Sequence, residues 1–409
     1  MAEAVEQIVN KKLPLGDTHA LGATMIERDG WSVPKSYGDV LLEYASVREG
    51  GAGIIDLSSR GRILVSGSEA VQFLNGLITN DMKTLEVGSW MPAAFPNVQG
   101  RLIAGVRVIR LEDEVTATGE TTPAGLPRLG PRPNACPTFL IDTEAATHER
   151  VLKTIERFTL AGDFRVTDIT TQTALISVQG KRAVSVVSSV LGEEPAKLAF
   201  SRATQMAHFR TESGSGRVGE KGNITEGIVV LRASHTGEDG FDLIVDAKQA
   251  ANLWAALQNA GARPVGYEAL EILRIEAGVP RYGVDVDETN VVTEALDDAV
   301  SYTKGCYIGQ EIIARIKYRG HVAKKLSGLQ FQHAAKVAVG AVIKSADDKE
   351  IGRITSAVFS PHLGRDIALG YLKYDYTAPN TSVVVISGDK ELSGQVIELP
   401  FVQNPDSSG

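Results

Sequence analysis

From residue 326 onward the chain consists of short β-rich runs separated by Gly and Asp turns, at 326–331, 339–343, 352–358, 367–372, 381–386 and 393–399. So many short strands within about eighty residues predict a small C-terminal barrel or sandwich. The rest of the chain needs cores of its own, because 409 residues exceed what one hydrophobic core organises. Two or three domains are therefore expected. A chain that is 43% hydrophobic and 22% charged has the make-up of an ordinary globular protein, so all of it is expected to fold.

Upstream the pattern changes to strands alternating with amphipathic helices. Ala70, Val71, Leu74, Leu77 and Ile78 form a helical stripe over 68–78, with Ser68 available as N-cap, between strands at 62–66 and 100–109. A Pro/Gly-rich loop at 118–137 leads to a helix over 143–158 carrying Val151, Leu152, Ile155 and Phe158. A second unit begins with a strand at 173–178 and a helix at 181–191, and closes with a strand at 240–245. Asp246 is expected to cap the next helix, which carries Ala250, Leu253, Trp254 and Leu257 and stops at Gly261. Another helix runs over 267–277 and ends at Gly278 and Pro280. This organisation is α+β or βαβ-like. The domains expected are an N-terminal segment 1–50, α+β units 51–170 and 171–320, with interleaving of these two left open, the barrel 321–402 and a tail 403–409.

A net charge of −8 argues against a broad surface for DNA or anionic membranes, since phosphate binding needs clustered Lys and Arg. The basic run Arg315, Lys317, Arg319, Lys324 and Lys325 reads as a solvated face. Two cysteines, Cys136 and Cys306, are too few for a disulfide framework and point to a reducing compartment, the cytoplasm. No stretch approaches the 18 or so apolar residues of a membrane span. Seven histidines without paired spacing give no zinc site, and two thiols cannot hold an iron–sulfur cluster within one chain. A cluster shared with a partner stays open. Gly214-Ser215-Gly216-Arg217-Val218-Gly219 has the glycine spacing of a dinucleotide loop, but no apolar-periodic helix follows it.

The segment richest in chemistry is Lys304-Gly305-Cys306-Tyr307-Ile308-Gly309-Gln310-Glu311, followed by Ile312-Ile313-Ala314-Arg315. Glycines on both sides free the backbone near Cys306. Ile312, Ile313 and Ile316 mark the buried face of a short helix, and Glu311 and Arg315 are spaced to pair along it. A cysteine just before a helix, with Lys304 nearby, sits where thiolate is favoured. The spacing alone leaves a second reading open, that of a small buried hydrophobe.

This run resembles the K-G-C-Y-x-G-Q-E signature of the YgfZ family of folate-binding proteins. The rest of residues 13–400 resembles the broader aminomethyltransferase (glycine-cleavage T-protein) family. The resemblance lies in Gly53-Ile54-Ile55-Asp56-Leu57-Ser58, His235-Thr236-Gly237-Glu238-Asp239-Gly240-Phe241, Leu273-Arg274-Ile275-Glu276-Ala277-Gly278, and Thr355-Ser356 with Ala368-Leu369-Gly370-Tyr371. It implies a three-domain ring around a central folate pocket, with tetrahydrofolate or a derivative as ligand. Glu238 and Arg274 match family positions that contact the pterin and the chain around it; an internal Glu–Arg pair is the other reading of these two.

Two departures bear on activity. The family's G-G-x-x-D-D run reads Gly100-Arg101-Leu102-Ile103-Ala104-Gly105, so its aspartate position is Gly105, and the histidine of its D-x-S-H-M-G run is Ser59. Without that carboxylate, aminomethyl transfer loses an acid/base group worth about 10²- to 10⁴-fold. The expectation is a tetrahydrofolate-binding accessory protein that supports iron–sulfur cluster assembly or repair, with iron–sulfur proteins or their assembly machinery as partners, an indirect effect on tRNA modification, and Cys306 as its functional residue. A folate-dependent one-carbon transferase acting on an unknown amine is the alternative, and a ring-fold interaction module without ligand a third.

Overall fold

The computed structural model describes residues 11–111, 114–115, 135–157, 159, 162–192, 195–198, 203–206, 228–332 and 335–402. The glycine pattern 214–219, most of the 118–137 loop and the tail 403–409 lie outside the described residues.

Five strands form an antiparallel sheet in the order Arg165–Asp168, Gly61–Ser66, Thr138–Thr143, Leu102–Arg110, Ser89–Pro96. Alternation along each strand gives the sheet two apolar faces. Ile63, Val65, Phe139 and Ile141 pack with Leu74 and Leu77 of helix Ala70–Leu77 and with Val151 and Ile155 of helix His148–Glu156. Leu64, Ile109 and Leu140 point the other way, onto a second sheet. Its order is Ala203–Met206, Ile228–Arg232, Gly240–Asp246, Thr173–Gln179, Gly53–Asp56, Arg263–Pro264. Ile55, Leu175, Val229, Leu231 and Ile244 close the layer between the sheets. Ile54, Ile176, Val178 and Leu243 pack outward under helices Ala183–Leu191 and Ala250–Asn259. The strand Gly53–Asp56 thus crosses into the second sheet before the first begins at Gly61, so the two units interleave and a boundary at 51 does not follow the sheets.

The six C-terminal runs close into a barrel in the order Lys324–Phe331, Arg365–Lys373, Glu350–Ser360, Val342–Ser345, Ser382–Ser387, Lys390–Ile397. Leu329, Ile343, Ile354, Leu372, Val385 and Val396 fill it. The fold is α+β, and every pairing in the first sheet is antiparallel, which removes the βαβ option.

Three local expectations are corrected. Residues 138–143 are strand and helix begins only at His148, because Thr138–Thr143 is paired on both sides and its backbone groups are taken. Ser68 does not cap helix Ala70–Leu77; its hydroxyl and amide both donate to Asp163, 2.9 Å away. Asp246 accepts from the Lys248 amide at 2.7 Å and so holds the turn before helix Ala250–Asn259, whose N-cap is Gln249. The edge strand Ser89–Pro96 had no clear signal: Pro92 and Pro96 weaken any strand reading and are tolerated because the strand is at the edge.

Candidate functional site

Where the two sheets and the helix Tyr267–Glu276 meet, a cleft opens that is lined by Arg28, Leu57, Ser59, Arg60, Glu144, His235, Tyr267, Arg274 and Arg281. Its floor is a chain of charges at one end of the inter-sheet layer. Arg60 forks onto Asp142 at 2.8 and 2.9 Å. Arg107, cross-strand from Asp142, bridges that carboxylate at 2.7 Å and Asp242 of the second sheet at 2.6 Å. His235 Nε2 meets Asp242 at 2.9 Å. Burial opposes charge on both aspartates, but the surrounding cations outweigh it and hold both below the usual carboxylate range. The carboxylates are buried and anchored, so they serve to aim Arg60 and His235 into the cleft.

On one wall the Arg28 guanidinium lies 4.6 Å from the Tyr267 ring centre, and Tyr267 Oη shares a 3.1 Å hydrogen bond with Ser59. Arg281 pairs with Glu271 at 2.6 Å, and burial lowers its pKa. The cleft therefore offers guanidinium N–H groups, an aromatic face and one inward carboxylate, Glu144. That donor set fits a planar ligand with anionic substituents. A separate cleft on the barrel is lined by Gln330, Phe331, Ser382 and Gln395, with Arg365 as its one charged side chain among the described residues.

Glu238 and Arg274 are both used by the protein itself. Arg48 donates to Glu238 at 2.7 Å, to Glu276 at 2.8 Å and to the Thr236 carbonyl at 3.0 Å. Tyr44 and the barrel residue Ser360 complete the shell of Glu276 at 2.8 and 2.5 Å. Glu238 does not line the cleft. Arg274 lines it, but its five N–H groups go to Glu271 twice, to Asp285, to the Val279 carbonyl and to Ser356. Asp285 in turn accepts from the barrel hydroxyls Thr355 and Ser356 at 2.6 and 2.7 Å. Each is in an internal ion pair, though not with the other, and both networks fasten the barrel to the helix Tyr267–Glu276.

The cysteine motif sits elsewhere. Lys304 is buried and its ammonium donates to the carbonyls of Asn75, Ile78 and Asn80 at 2.7, 2.9 and 2.7 Å, at the C-terminal end of helix Ala70–Leu77. It also lies 4.9 Å from the ring centre of Tyr307, whose pKa burial pushes up to about 12. Gly309 has φ 77°, and a Cβ there would come within 2.4 Å of the Asn97 carbonyl, so this position is held to glycine. Gly305 has open space around it and no positive φ, so its expected conformational role is absent. Helix Gln310–Arg319 buries Ile313, half-buries Ile312 and Ile316, and leaves Glu311 and Arg315 exposed; the expected Glu311–Arg315 ion pair is not made. Cys306 is exposed just before this helix, which removes the buried-hydrophobe reading, and it does not line the cleft. Lys304, bound to three carbonyls, is a strut between the motif and the first sheet's helix.

Gly105 lies on the strand Leu102–Arg110, and a Cβ built on it would stand 3.1 Å from Leu296 Cδ1. A longer side chain there has to move Leu296. Arg28, Glu144, Tyr267 and Arg281 were not singled out by sequence, since nothing in local spacing brings four such distant positions to one cleft.

Family models for the GCVT N-terminal domain match residues 16–124 and 135–304, and the glycine cleavage T-protein C-terminal barrel domain matches 324–403. The chain belongs to the glycine cleavage T-protein, or aminomethyltransferase, family. The aminomethyltransferase of Thermotoga maritima is 30% identical over 400 residues, covering 96% of this chain and 97% of that one. That of Symbiobacterium thermophilum is 30% identical over 412 residues, covering 97% and 98%. Among solved structures, the glycine cleavage system aminomethyltransferase T from Bartonella henselae superposes with a TM-score of 0.79 at 24% identity, over 96% of this chain and 98% of that one. The chain thus has the family fold over nearly its whole length.

Proposed function

We propose that this T-protein-family chain is a tetrahydrofolate-binding accessory protein of the YgfZ type. It supports iron–sulfur cluster assembly or repair, and through a dependent iron–sulfur enzyme it affects tRNA modification. The observation that carries the reading is the division of labour in the chain. The cleft keeps its cationic and aromatic lining while residue 105 is glycine packed against Leu296. The exposed thiol stands on a separate, rigidly docked segment. A folate fits the cleft by its chemistry, carboxylates toward Arg28, Arg60 and Arg281 and a flat ring toward Tyr267. Cys306 is the residue through which the protein meets iron–sulfur proteins or their assembly machinery.

The test has two arms. Tetrahydrofolate should raise the melting temperature of the purified protein in a concentration-dependent way, since a ligand specific for the folded state stabilises it. Methylene-tetrahydrofolate with candidate amines should be recovered unchanged. Stoichiometric conversion would establish the alternative, a one-carbon transferase, and no thermal shift at millimolar tetrahydrofolate would leave the ligand-free interaction module. In a deletion strain, Cys306→Ala should fail to restore iron–sulfur enzyme activities that the wild type restores; full restoration would remove the thiol from the function.

A further inference from the structure

Glu144 is the inward carboxylate of the cleft, and its surroundings leave it short of partners. It directly follows the strand Thr138–Thr143, whose antiparallel register pairs Thr143 with Val106. The ladder ends at that pair, and the Thr143 hydroxyl lies 3.5 Å from the Gly105 carbonyl. The Glu144 backbone is extended, φ −64° and ψ 150°, which continues the strand by one residue into the cleft wall.

Among the described residues, the carboxylate of Glu144 receives one N–H, that of Tyr282, at 3.3 Å to one oxygen and 3.2 Å to the other. Both distances are at the long end for hydrogen bonds. Arg60, Arg28 and Arg281 are near enough to pull on its charge, yet none pairs with it: Arg60 is forked onto Asp142, Arg28 lies over Tyr267, and Arg281 is paired with Glu271. Glu144 is half-buried, and a carboxylate has about four acceptor sites, so the Tyr282 amide leaves room for further donors from the cleft. Burial is also the largest influence on Glu144 and raises its pKa despite the three arginines. Asp29, the other acid of the lining, is at the exposed rim, 3.7 Å from Arg28. Glu238, the position matched to a pterin contact, is held by Arg48 outside the lining.

We infer that Glu144 is the carboxylate that receives the paired N–H donors of the cleft's ligand, the amino group and adjacent ring N–H of a 2-amino-4-oxo-pteridine edge. This rests on the folate reading of the cleft. Two parallel N–H···O bonds fill the lone pairs that Tyr282 leaves free, and the surrounding guanidinium groups remain for the anionic end of the same ligand.

The experiment compares wild type and Glu144→Gln by titration calorimetry with three probes: tetrahydrofolate, a tetrahydropterin lacking the tail, and p-aminobenzoylglutamate lacking the pterin. Gln keeps an acceptor for the Tyr282 amide but replaces one carboxylate oxygen by a donor that opposes the ligand's own. Tetrahydrofolate and tetrahydropterin should each bind about 10- to 100-fold more weakly to E144Q, as expected for loss of a charge-assisted bidentate contact. The tail fragment should bind within twofold of wild type, which also shows that the variant is folded. Equal tetrahydrofolate affinity in both proteins overturns the assignment while leaving the folate reading intact. Equal losses for pterin and tail fragments overturn it as well, because they report collapse of the cleft. If wild type binds none of the three, the folate reading fails and the assignment fails with it.

Discussion

Lys304→Met separates scaffold from chemistry within the Lys304–Glu311 motif. The ammonium of Lys304 donates to three carbonyls at 2.7, 2.9 and 2.7 Å, all where helix Ala70–Leu77 ends and its last C=O groups lack helical partners. Each acceptor left without a donor costs roughly 1–3 kcal/mol. Against this stands the burial of the ammonium, a penalty of several kcal/mol that the substitution relieves; the same burial pulls the Lys304 pKa down to about 8. The difference leaves a net loss of about 2–4 kcal/mol for Lys304→Met, concentrated in the transition that reports the first sheet and its helices. Cys306→Ser, at an exposed position, should stay within about 0.5 kcal/mol of wild type. Urea unfolding followed by tryptophan fluorescence and circular dichroism measures both. The Lys304 pKa is lower in the folded chain than the ~10.4 of a free lysine. The folded state therefore binds fewer protons between about pH 8 and 10, and wild-type stability rises across that window. Lys304→Met should lack that rise. A Lys304→Met protein as stable as wild type, or a Cys306→Ser protein as damaged as Lys304→Met, would refute the strut.

Arg48→Met leaves the carboxylates of Glu238 and Glu276 buried without their cation, so a loss of about 3–5 kcal/mol is expected. Thermal unfolding measures it, and adding Glu276→Gln should recover part of the loss. Gly105→Asp should destabilise by about 1–3 kcal/mol because the new side chain meets Leu296, and Leu296→Ala should make the combined loss smaller than the sum of the two single ones. A double-mutant cycle by urea unfolding decides this, and additive losses would show that Leu296 is not in the way. Burial acts to raise Asp168, but hydrogen bonds from His148 and Thr170 outweigh it and hold the group at about 2. The folded-state value is below the unfolded ~3.9, so the stabilisation is present above pH 4 and disappears as pH falls toward 2. Asp168 is partly exposed, so screening reduces the effect to about 1 kcal/mol or less. Asp168→Asn should flatten acid unfolding between pH 4 and 2 by that amount, with no change in slope above pH 5.

The barrel was legible because each of its strands is a short run closed off by turn residues, and all six appear where the Gly and Asp turns divide the sequence. The helices were legible from their apolar stripes, as with Leu253, Trp254 and Leu257 under the second sheet. What local pattern could not give was partner choice. Ser68 and Asp246 have the chemistry of helix caps, yet Asp163 and the Lys248 amide claim them. Gly53–Asp56 joins a sheet whose neighbouring strand starts at Thr173, and no signal within four residues encodes that pairing. The cleft was the least legible part for the same reason. Arg28, Glu144, Tyr267 and Arg281 become neighbours only through sheet register and the placement of one helix, whereas the cysteine motif was visible as an unbroken run.

Glu238 and Arg274 are engaged in ion pairs that hold the units of the fold together. Glu238 and Glu276 meet on Arg48, Arg274 pairs with Asp285, which accepts from Thr355 and Ser356, and the two clusters join helix Val40–Arg48, helix Tyr267–Glu276 and the barrel. Buried charges so arranged tolerate little change, because removing one leaves the others unpaired. A chain can hold this joint and the family fold while its chemistry changes, since the joint constrains how the three units sit and leaves the cleft's remaining positions free. Ser59 and Glu144 are among those positions, while Gly105, packed against Leu296, and the exposed Cys306 lie outside the cleft lining. Ligand and partner should be sought at these four residues, with Arg274 standing beside Ser59 and Glu144 in the cleft lining.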